Sequence, residues 1–199
     1  MFPYYLLLGA SLAGGPFLAR RPEYRRGYLS VMGLACWLTA SMRYVTGFDY
    51  RFYESVFQSV AALGLNGAGW SEPGYLLLNW AVSFFSSDYR VFLLVFHLLL
   101  TILVFVWIGR CSPSPWLSVF LFISLQYFAL SMNFLRQALA AAIVLWIYPF
   151  LKSRRFFPAC GIVLLAACFH RTALIMLPLC FLLTLPPSKR RYGLAALAA

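Results

Sequence analysis

Long apolar runs dominate this sequence and exclude a water-soluble fold. Eight runs of at least twelve residues carry almost no charge: 3–19, 28–42, 74–85, 91–108, 116–131, 135–151, 156–169 and 172–185. Charged residues make up 11% of the 199 residues, against about 25% in a typical soluble domain. So few charges cannot cover the surface of a globule this size, and lipid must cover much of it. The chain is therefore predicted to be an integral membrane protein.

The fold class follows from the bilayer as solvent. Backbone polar groups inside lipid must be hydrogen-bonded within the protein, and helices satisfy them locally. No hydrophilic stretch is long enough to form a soluble domain. We therefore predict an all-α fold, a polytopic integral membrane helical bundle that forms a single transmembrane domain over 1–199. Several runs are shorter than the roughly 20 residues that a perpendicular helix needs to cross the hydrocarbon layer, so nearby polar residues should be drawn into the bundle.

The basic residues predict the topology. If all eight runs cross and the N-terminus is outside, seven Lys and Arg residues lie inside and nine outside, against the positive-inside rule. The shortest run, 74–85, follows Glu72 and Pro73. Treating it as re-entrant or interfacial puts eleven basic residues inside and five outside. We therefore predict about seven spans plus this segment, with Ser87 outside and Ser112 inside.

Polar and aromatic residues then gather on the extracytoplasmic side. The five basic residues predicted there are Arg43, Arg51, Arg90, Arg136 and Arg171. Most of them lie in four short clusters, at 43–53, 72–75, 132–137 and 169–173. Four segments distant in sequence are thus expected to converge on one face.

The segment 43–73 is predicted to be an extracytoplasmic loop with an amphipathic interfacial helix. From Tyr50 onward, apolar residues recur at helical spacing and polar residues occupy the other face. Asp49 precedes this helix and is either an N-cap or a catalytic or substrate-binding group. Arg43 ends a span and either anchors that span at the headgroups or contacts substrate.

The polar group at 133–137 is the strongest single-site signal. Asn133, Arg136 and Gln137 are spaced i, i+3 and i+4, which places them on one helix face. A guanidinium in lipid is costly, so it is expected to face the bundle interior, where it can hold a phosphate bidentately. The alternative is an arginine that snorkels to the headgroups.

Two further titratable residues have both structural and functional interpretations. His170, beside Arg171, lies at a hinge between two fourteen-residue runs and is either structural or a proton acceptor or phosphate ligand. Glu72 precedes Pro73, an ordinary helix start, or it contacts a sugar hydroxyl. His97 lies in the middle of a run, where an interhelical hydrogen bond is expected.

Several chemistries have no support in the sequence. It contains no glycine-rich phosphate loop, no metal-binding His or Asp pair and no C-x-x-C motif. We therefore predict no metal and no cofactor. The basic residues lie between apolar runs and not along one face or in a tail, so no nucleic-acid partner is expected.

The ordered clusters resemble those of a known family. Arg43-x-x-x-Gly47-x-Asp49-Tyr50-x-x-Tyr53, Glu72-Pro73-Gly74-Tyr75, Met132-Asn133-x-x-Arg136-Gln137 and Phe169-His170-Arg171 occur in this order. Together they resemble the EpsG family of bacterial exopolysaccharide proteins, which is related to Wzy-type polymerases. The resemblance covers nearly the whole chain.

This resemblance implies a lipid-carrier-dependent glycosyltransferase in the bacterial cytoplasmic (inner) membrane, with its active face extracytoplasmic. It would polymerise undecaprenyl-pyrophosphate-linked oligosaccharide units, with the lipid bilayer and other polysaccharide synthesis and export proteins as partners. The expected catalytic candidates are Asp49, Glu72 and His170. The expected pyrophosphate ligands are Arg43, Arg136 and Arg171. The expected substrate-binding residues are Tyr53, Asn133 and Gln137.

Two other functional classes stay open at this point. A flippase or transporter for the same lipids would also place arginine in a cavity, but it predicts broken helices near the midplane and internal repeats. A non-catalytic membrane subunit of a polysaccharide synthesis complex would use the clusters for packing. Members of the family continue through further membrane helices, so the chain is also interpretable as an N-terminal part of a longer fold.

Overall fold

The computed structural model describes residues 2–45, 47–68 and 72–185, and all regular structure in this part of the chain is helical. The α-helices are α1 (Phe2–Arg20), α2 (Arg25–Ser41), α3 (Tyr50–Leu63), α4 (Pro73–Ser83), α5 (Tyr89–Cys111), α6 (Pro115–Ser124), α7 (Tyr127–Asn133), α8 (Leu135–Val144), α9 (Tyr148–Lys152), α10 (Phe156–Ala167) and α11 (Met176–Thr184). Short 3₁₀ turns occur at Pro22–Tyr24, Gly64–Ala68, Leu145–Ile147 and Arg171–Ile175. The all-α prediction is confirmed.

Several predicted runs are interrupted helices. The run 116–131 is broken between α6 and α7, which meet at a bend of 52° beside Gln126 in the left-handed region (φ 64°). A 3₁₀ turn separates α8 from α9, and another precedes α11. Breaks of this kind shorten the continuous helices and leave backbone groups to be satisfied at the breaks.

The number of membrane crossings is lower by length and composition than predicted. Among the described residues, α5 and the composite helix Leu135–Lys152 are long and apolar enough to cross, and the bent α6–α7 pair makes a third if it counts as one span. The prediction of about seven spans is therefore not confirmed.

The second helix packs antiparallel to the long α5. Arg25, at the start of α2, donates hydrogen bonds of 2.9 Å to the carbonyls of Gly109 and Ser112, at the end of α5. Near the other end, Trp37 Nε1 donates to the carbonyl of Leu94 at 2.9 Å. The end of α2 and the start of α5 therefore lie together at one end of the bundle, called the site end below.

Helices α3 and α4 lie at this site end. The start of α4 is held by a 2.7 Å hydrogen bond from the Gly74 amide to the Cys168 carbonyl at the end of α10. A few residues after α4, Tyr89 packs edge-on against Tyr50 at 5.2 Å between ring centroids. The α4 helix has eleven residues and rises only about 16 Å, less than the roughly 30 Å of hydrocarbon that a crossing helix must span. That this segment does not cross the membrane stays a prediction.

The amphipathic pattern of α3 produces one buried face. Its buried residues are Tyr50, Tyr53, Phe57 and Val60. Phe52 is apolar but exposed, and its ring packs edge-on against Tyr53. Phe57 lies against Phe92 at 5.3 Å, which joins α3 to α5 through aromatic packing.

Part of the predicted topology lies beyond the described structure. Lys189, Arg190 and Arg191, counted on the inner side, lie outside the described residues, as do 46 and 69–71 of the predicted loop.

Candidate functional site

Glu72 is the centre of an ion-paired group at the site end. Its Oε2 accepts a hydrogen bond from Arg136 Nη1 at 2.5 Å, and its Oε1 lies 3.2 Å from His170 Nδ1. The Glu72 side chain is 9% exposed, and the Arg136 side chain is 23% exposed. The three residues come from the start of α4, the start of α8 and the end of α10, so the fold assembles the group from distant segments.

The local structure before α4 places the carboxylate. Glu72 is extended, and Pro73 occupies the first turn of the helix, where its missing amide hydrogen costs nothing. A Cβ on Gly74 would lie 2.9 Å from the Cys168 carbonyl oxygen, too close for any other residue without movement. Gly74 therefore permits the close approach of α4 to α10 that brings Glu72 beside His170.

The charge state of Glu72 sets the tautomer of His170. Burial alone would raise the pKa of Glu72, but its hydrogen bond to its own backbone and its contact with Arg136 together hold that pKa below the ordinary value. An ionised carboxylate only accepts hydrogen bonds, so His170 Nδ1 must be the donor. In the neutral imidazole, Nε2 is then left as a proton acceptor.

Tyr53 lies on the other side of Arg136. Its hydroxyl interacts with the Arg136 guanidinium, and its ring packs against Tyr75 at 5.8 Å between centroids. Burial raises the pKa of Tyr53, and the nearby guanidinium only partly opposes this shift. The Tyr53 hydroxyl is therefore protonated at neutral pH and available for hydrogen bonding.

Arg43 is a second, separately held guanidinium. It is 8% exposed, its Nη1 donates to the carbonyl of Met132, and it lies over the Tyr50 ring at 5.9 Å. Burial lowers the pKa of Arg43, although nearby tyrosines partly compensate. Among the described residues, its Nε and Nη2 have no hydrogen-bond partner.

Asn133 holds the loop before α3 against α7. Its Oδ1 accepts the Phe48 amide hydrogen at 3.1 Å. Gly47 has a φ of 103°, and a Cβ there would lie 2.5 Å from that same Oδ1. Glycine at this position therefore allows both the backbone conformation and the contact.

The predicted single helix face at 133–137 is wrong. The chain breaks at Phe134 (φ −106°, ψ 64°), so Asn133 ends α7 whereas Arg136 and Gln137 begin α8. Arg136 reaches the ion-paired group, but Gln137 is exposed. Arg136 and Gln137 are consecutive residues of α8, so their side chains point about 100° apart around the helix axis.

Asp49 and Arg171 lie at the same end but outside the ion-paired group. Asp49 occupies the N-cap position of α3, and its carbonyl accepts the Tyr53 amide hydrogen at 3.0 Å, but its side chain makes no capping hydrogen bond. Arg171 is exposed. In the described part of the chain, neither side chain forms an ion pair.

Sequence reasoning missed other buried polar residues. Tyr75, Asn79 and Tyr89 are buried beside the site, and each has a side-chain polar atom without a partner among the described residues. His97 is also buried with both ring nitrogens unpartnered there, so its expected interhelical hydrogen bond is not formed. Tyr75 and Asn79 lie within the apolar run 74–85, and Tyr89 lies just before the run 91–108. Of these three, only Tyr75 had a signal in the sequence, the Glu-Pro-Gly-Tyr cluster.

Comparison with known proteins identifies the family of this chain. The model of the EpsG family matches residues 27–195, a range that includes every site residue named above. The chain belongs to the EpsG family. The predicted resemblance is therefore confirmed, and it rests on most of the chain.

One curated relative is the EPS I polysaccharide export inner membrane protein EpsF of Ralstonia nicotianae. It is 30% identical over 164 residues, which cover 78% of this chain and 38% of the relative. The EpsG-family chain thus spans less than two-fifths of the relative's length. No solved structure gives a significant match.

Proposed function

We propose that this EpsG-family protein acts in bacterial exopolysaccharide biosynthesis as a membrane polymerase of lipid-linked oligosaccharide units. It transfers a glycan from its undecaprenyl pyrophosphate carrier to a sugar hydroxyl of a second lipid-linked unit, at the outer face of the inner membrane. The observation that carries this proposal is the partly buried ion-paired group formed by Glu72, Arg136 and His170. It combines an oriented proton acceptor with a guanidinium beside it.

His170 is proposed as the general base. Glu72 accepts a hydrogen bond from His170 Nδ1 and so fixes the orientation of the ring. The other ring nitrogen, Nε2, is then left to take the proton of the acceptor hydroxyl. A carboxylate that orients a histidine in this way also stabilises the imidazolium that forms. The acceptor oxygen then bonds to the anomeric carbon of the donor sugar.

Arg136 is proposed to stabilise the leaving group. As the new bond forms, the bond from the anomeric carbon to the pyrophosphate oxygen breaks, and its electron pair leaves with the carrier pyrophosphate. Arg136 Nε has no partner among the described residues and is available to an anion. Charge-assisted hydrogen bonds in a partly dry site favour that developing charge. Tyr53 adds a hydroxyl beside the guanidinium.

The other predicted residues are proposed as contacts at the edge of this group. Arg43 and Arg171 bind substrate pyrophosphate, and Asn133 fixes the loop that carries Asp49. Asp49 and Gln137 then face parts of the glycans that extend beyond the buried group.

The proposal includes the topology of about seven spans with α3 and α4 at the outer face. Cysteine labelling from either side of the membrane tests it, in a variant without the native cysteines. Ser87 is exposed at the site end and suits labelling. Ser112 is buried, and its hydroxyl is hydrogen-bonded to that of Ser118, so it is a poor position for a label. Ser153, exposed after α9, is the better opposite probe. Labelling of S87C from the inside or S153C from the outside would contradict this topology.

Reconstitution tests the activity. The protein is placed in liposomes with purified lipid-linked repeat units, and chain length is followed on gels. Elongation is expected for wild type and for the control variant R51Q. Arg51 is an exposed arginine at the same end of the bundle, where it pairs with Glu54. It should be lost in H170A and R136A while the thermal unfolding transition is still present. Undiminished elongation in both variants would refute the assignment.

Transport of the same lipids is a second candidate. The name of the Ralstonia relative describes an export protein, and the α6–α7 helix is broken. A labelled lipid-linked unit that crosses leaflets without elongation would favour transport over polymerisation.

A further inference from the structure

A cationic cleft, separate from the ion-paired group, lies between the end of α2 and the start of α5. It has a volume of about 230 Å³ and is lined by Ser41, Met42, Arg43, Tyr44, Arg90 and Leu94. No carboxylate is among these lining residues. Asp88 is the acid nearest in sequence, and its carboxylate caps α5 by accepting the Arg90 backbone amide hydrogen at 2.9 Å.

Two guanidinium groups face this cleft. Arg43 is more than nine-tenths buried and has two nitrogens without a partner in the described part of the chain. Arg90 is exposed at the mouth, where its guanidinium lies over the Tyr44 ring at 5.0 Å. Neither arginine forms an ion pair among the described residues. Two unpaired guanidinium groups of this kind match a phosphate or pyrophosphate.

A separate apolar groove lies farther along α2 and α5. It has a volume of about 740 Å³, and Leu34, Trp37, Leu98 and Ile102 are among its lining residues. Trp37 donates its indole hydrogen to the carbonyl of Leu94, which lines the cleft, so this hydrogen bond joins the walls of the two neighbouring spaces.

This combination fits a lipid that carries a phosphate. The groove reaches Arg110, and the helix rises about 18 Å from Leu98 to Arg110, slightly more than the roughly 15 Å depth of one hydrocarbon leaflet. A headgroup phosphate would lie between Arg43 and Arg90 while its chain occupies the groove. The cleft supplies the positive charge that would bind the phosphate, and the groove sets the direction in which the lipid chain would run.

We propose that the cleft and groove bind the acceptor, the second lipid-linked pyrophosphate of the reaction. This inference rests on the proposed function, because polymerisation requires two carrier lipids at once and only one loses its glycan. Arg136 is already paired with Glu72 beside the proton acceptor and serves the donor. Arg43 touches Met132, next to Asn133, so the acceptor cleft adjoins the loop of the donor site.

Binding is tested with farnesyl pyrophosphate and inorganic pyrophosphate on the full chain in phosphatidylcholine nanodiscs, by native mass spectrometry and Trp fluorescence. Wild type and R51Q should bind two farnesyl pyrophosphates. R90Q should weaken one of them by about tenfold or more, since a hydrogen bond to a charged group contributes about 1.5–3 kcal/mol. Inorganic pyrophosphate should bind more weakly, because it lacks a chain for the groove. Unchanged binding in R90Q would overturn the inference.

A competition experiment separates a carrier lipid from ordinary anionic lipid. Nanodiscs with phosphatidylglycerol should leave the Arg90-dependent binding of farnesyl pyrophosphate in place. Displacement of that binding by phosphatidylglycerol would show a general headgroup site and overturn the assignment to the acceptor.

Elongation kinetics separate this inference from the proposed function. The acceptor is a lipid-linked unit with a non-cleavable phosphonate link, so it cannot act as donor. R90Q should raise the acceptor KM with little change in kcat, whereas R51Q should change neither. Elongation with an unaltered acceptor KM in R90Q would overturn the inference alone. Absence of elongation in wild type, with Arg90-dependent binding intact, would refute the polymerase and leave a lipid pyrophosphate site.

Discussion

The ion pair between Arg136 and Glu72 gives the sharpest prediction about stability. Removing one partner of a buried pair typically costs about 3–5 kcal/mol, because the other charge is left uncompensated. Here the Arg136 side chain is 23% exposed and His170 still contacts Glu72, so R136Q should cost less, about 2–3 kcal/mol. E72Q should cost a similar amount, because it leaves the Arg136 guanidinium with Tyr53 alone.

The double variant E72Q/R136Q isolates the pair. Two neutral amides replace two opposite charges, so neither charge is left unpaired. The double variant should therefore be less destabilised than the sum of the single variants, with a coupling energy of about 1–3 kcal/mol.

Thermal unfolding in one defined detergent measures these differences. For a chain of this length about 1 kcal/mol corresponds to a Tm change of roughly 2–4 °C, so R136Q should lower Tm by about 4–12 °C. R51Q is the matched control, because the Arg51 side chain is 68% exposed and such pairs contribute at most about 1 kcal/mol. A coupling energy below about 0.5 kcal/mol, or an equal Tm loss in R51Q, would refute the reasoning.

Three further measurements test the site. Y53F removes the hydroxyl beside Arg136 and should slow elongation about fivefold, the effect of a hydrogen bond of about 1 kcal/mol, with little change in Tm; an unchanged rate would exclude the hydroxyl from the reaction. G74A brings a Cβ against the Cys168 carbonyl oxygen and should destabilise the protein by about 1–3 kcal/mol. G161A is its control on α10, where nothing lies within 4 Å, and a Tm loss there equal to that in G74A would contradict the packing argument. The pKa of Glu72 is lowered in the folded protein, so its contribution is complete above its ordinary pKa of 4.5 and is lost as pH falls through the lower folded value. The Tm difference between wild type and E72Q should therefore be present at neutral pH and shrink in acid, and a difference that grows in acid would contradict the direction of the shift.

Part of the site was predictable from residue types. Arg136, Glu72 and His170 were candidates because charged residues beside apolar runs are costly unless they are paired or functional. The pairing itself was not predictable, because Glu72 lies 64 residues from Arg136 and 98 from His170 along the chain. The break at Phe134 was also hidden, since the sequence 132–137 fits a continuous helix.

By itself, the sequence determined that the chain is a helical membrane protein of the EpsG family. Too few charges to cover a soluble surface and apolar runs at helical length are enough for the membrane-helical fold. The family rests on the ordered motifs and on the family match over residues 27–195. Tertiary structure alone decided which charges meet: Gly74 lets α4 approach α10, and the break at Phe134 turns Arg136 inward while Gln137 is exposed. Burial and ion pairing depend on distances between segments far apart in the chain, and a local pattern does not contain those distances.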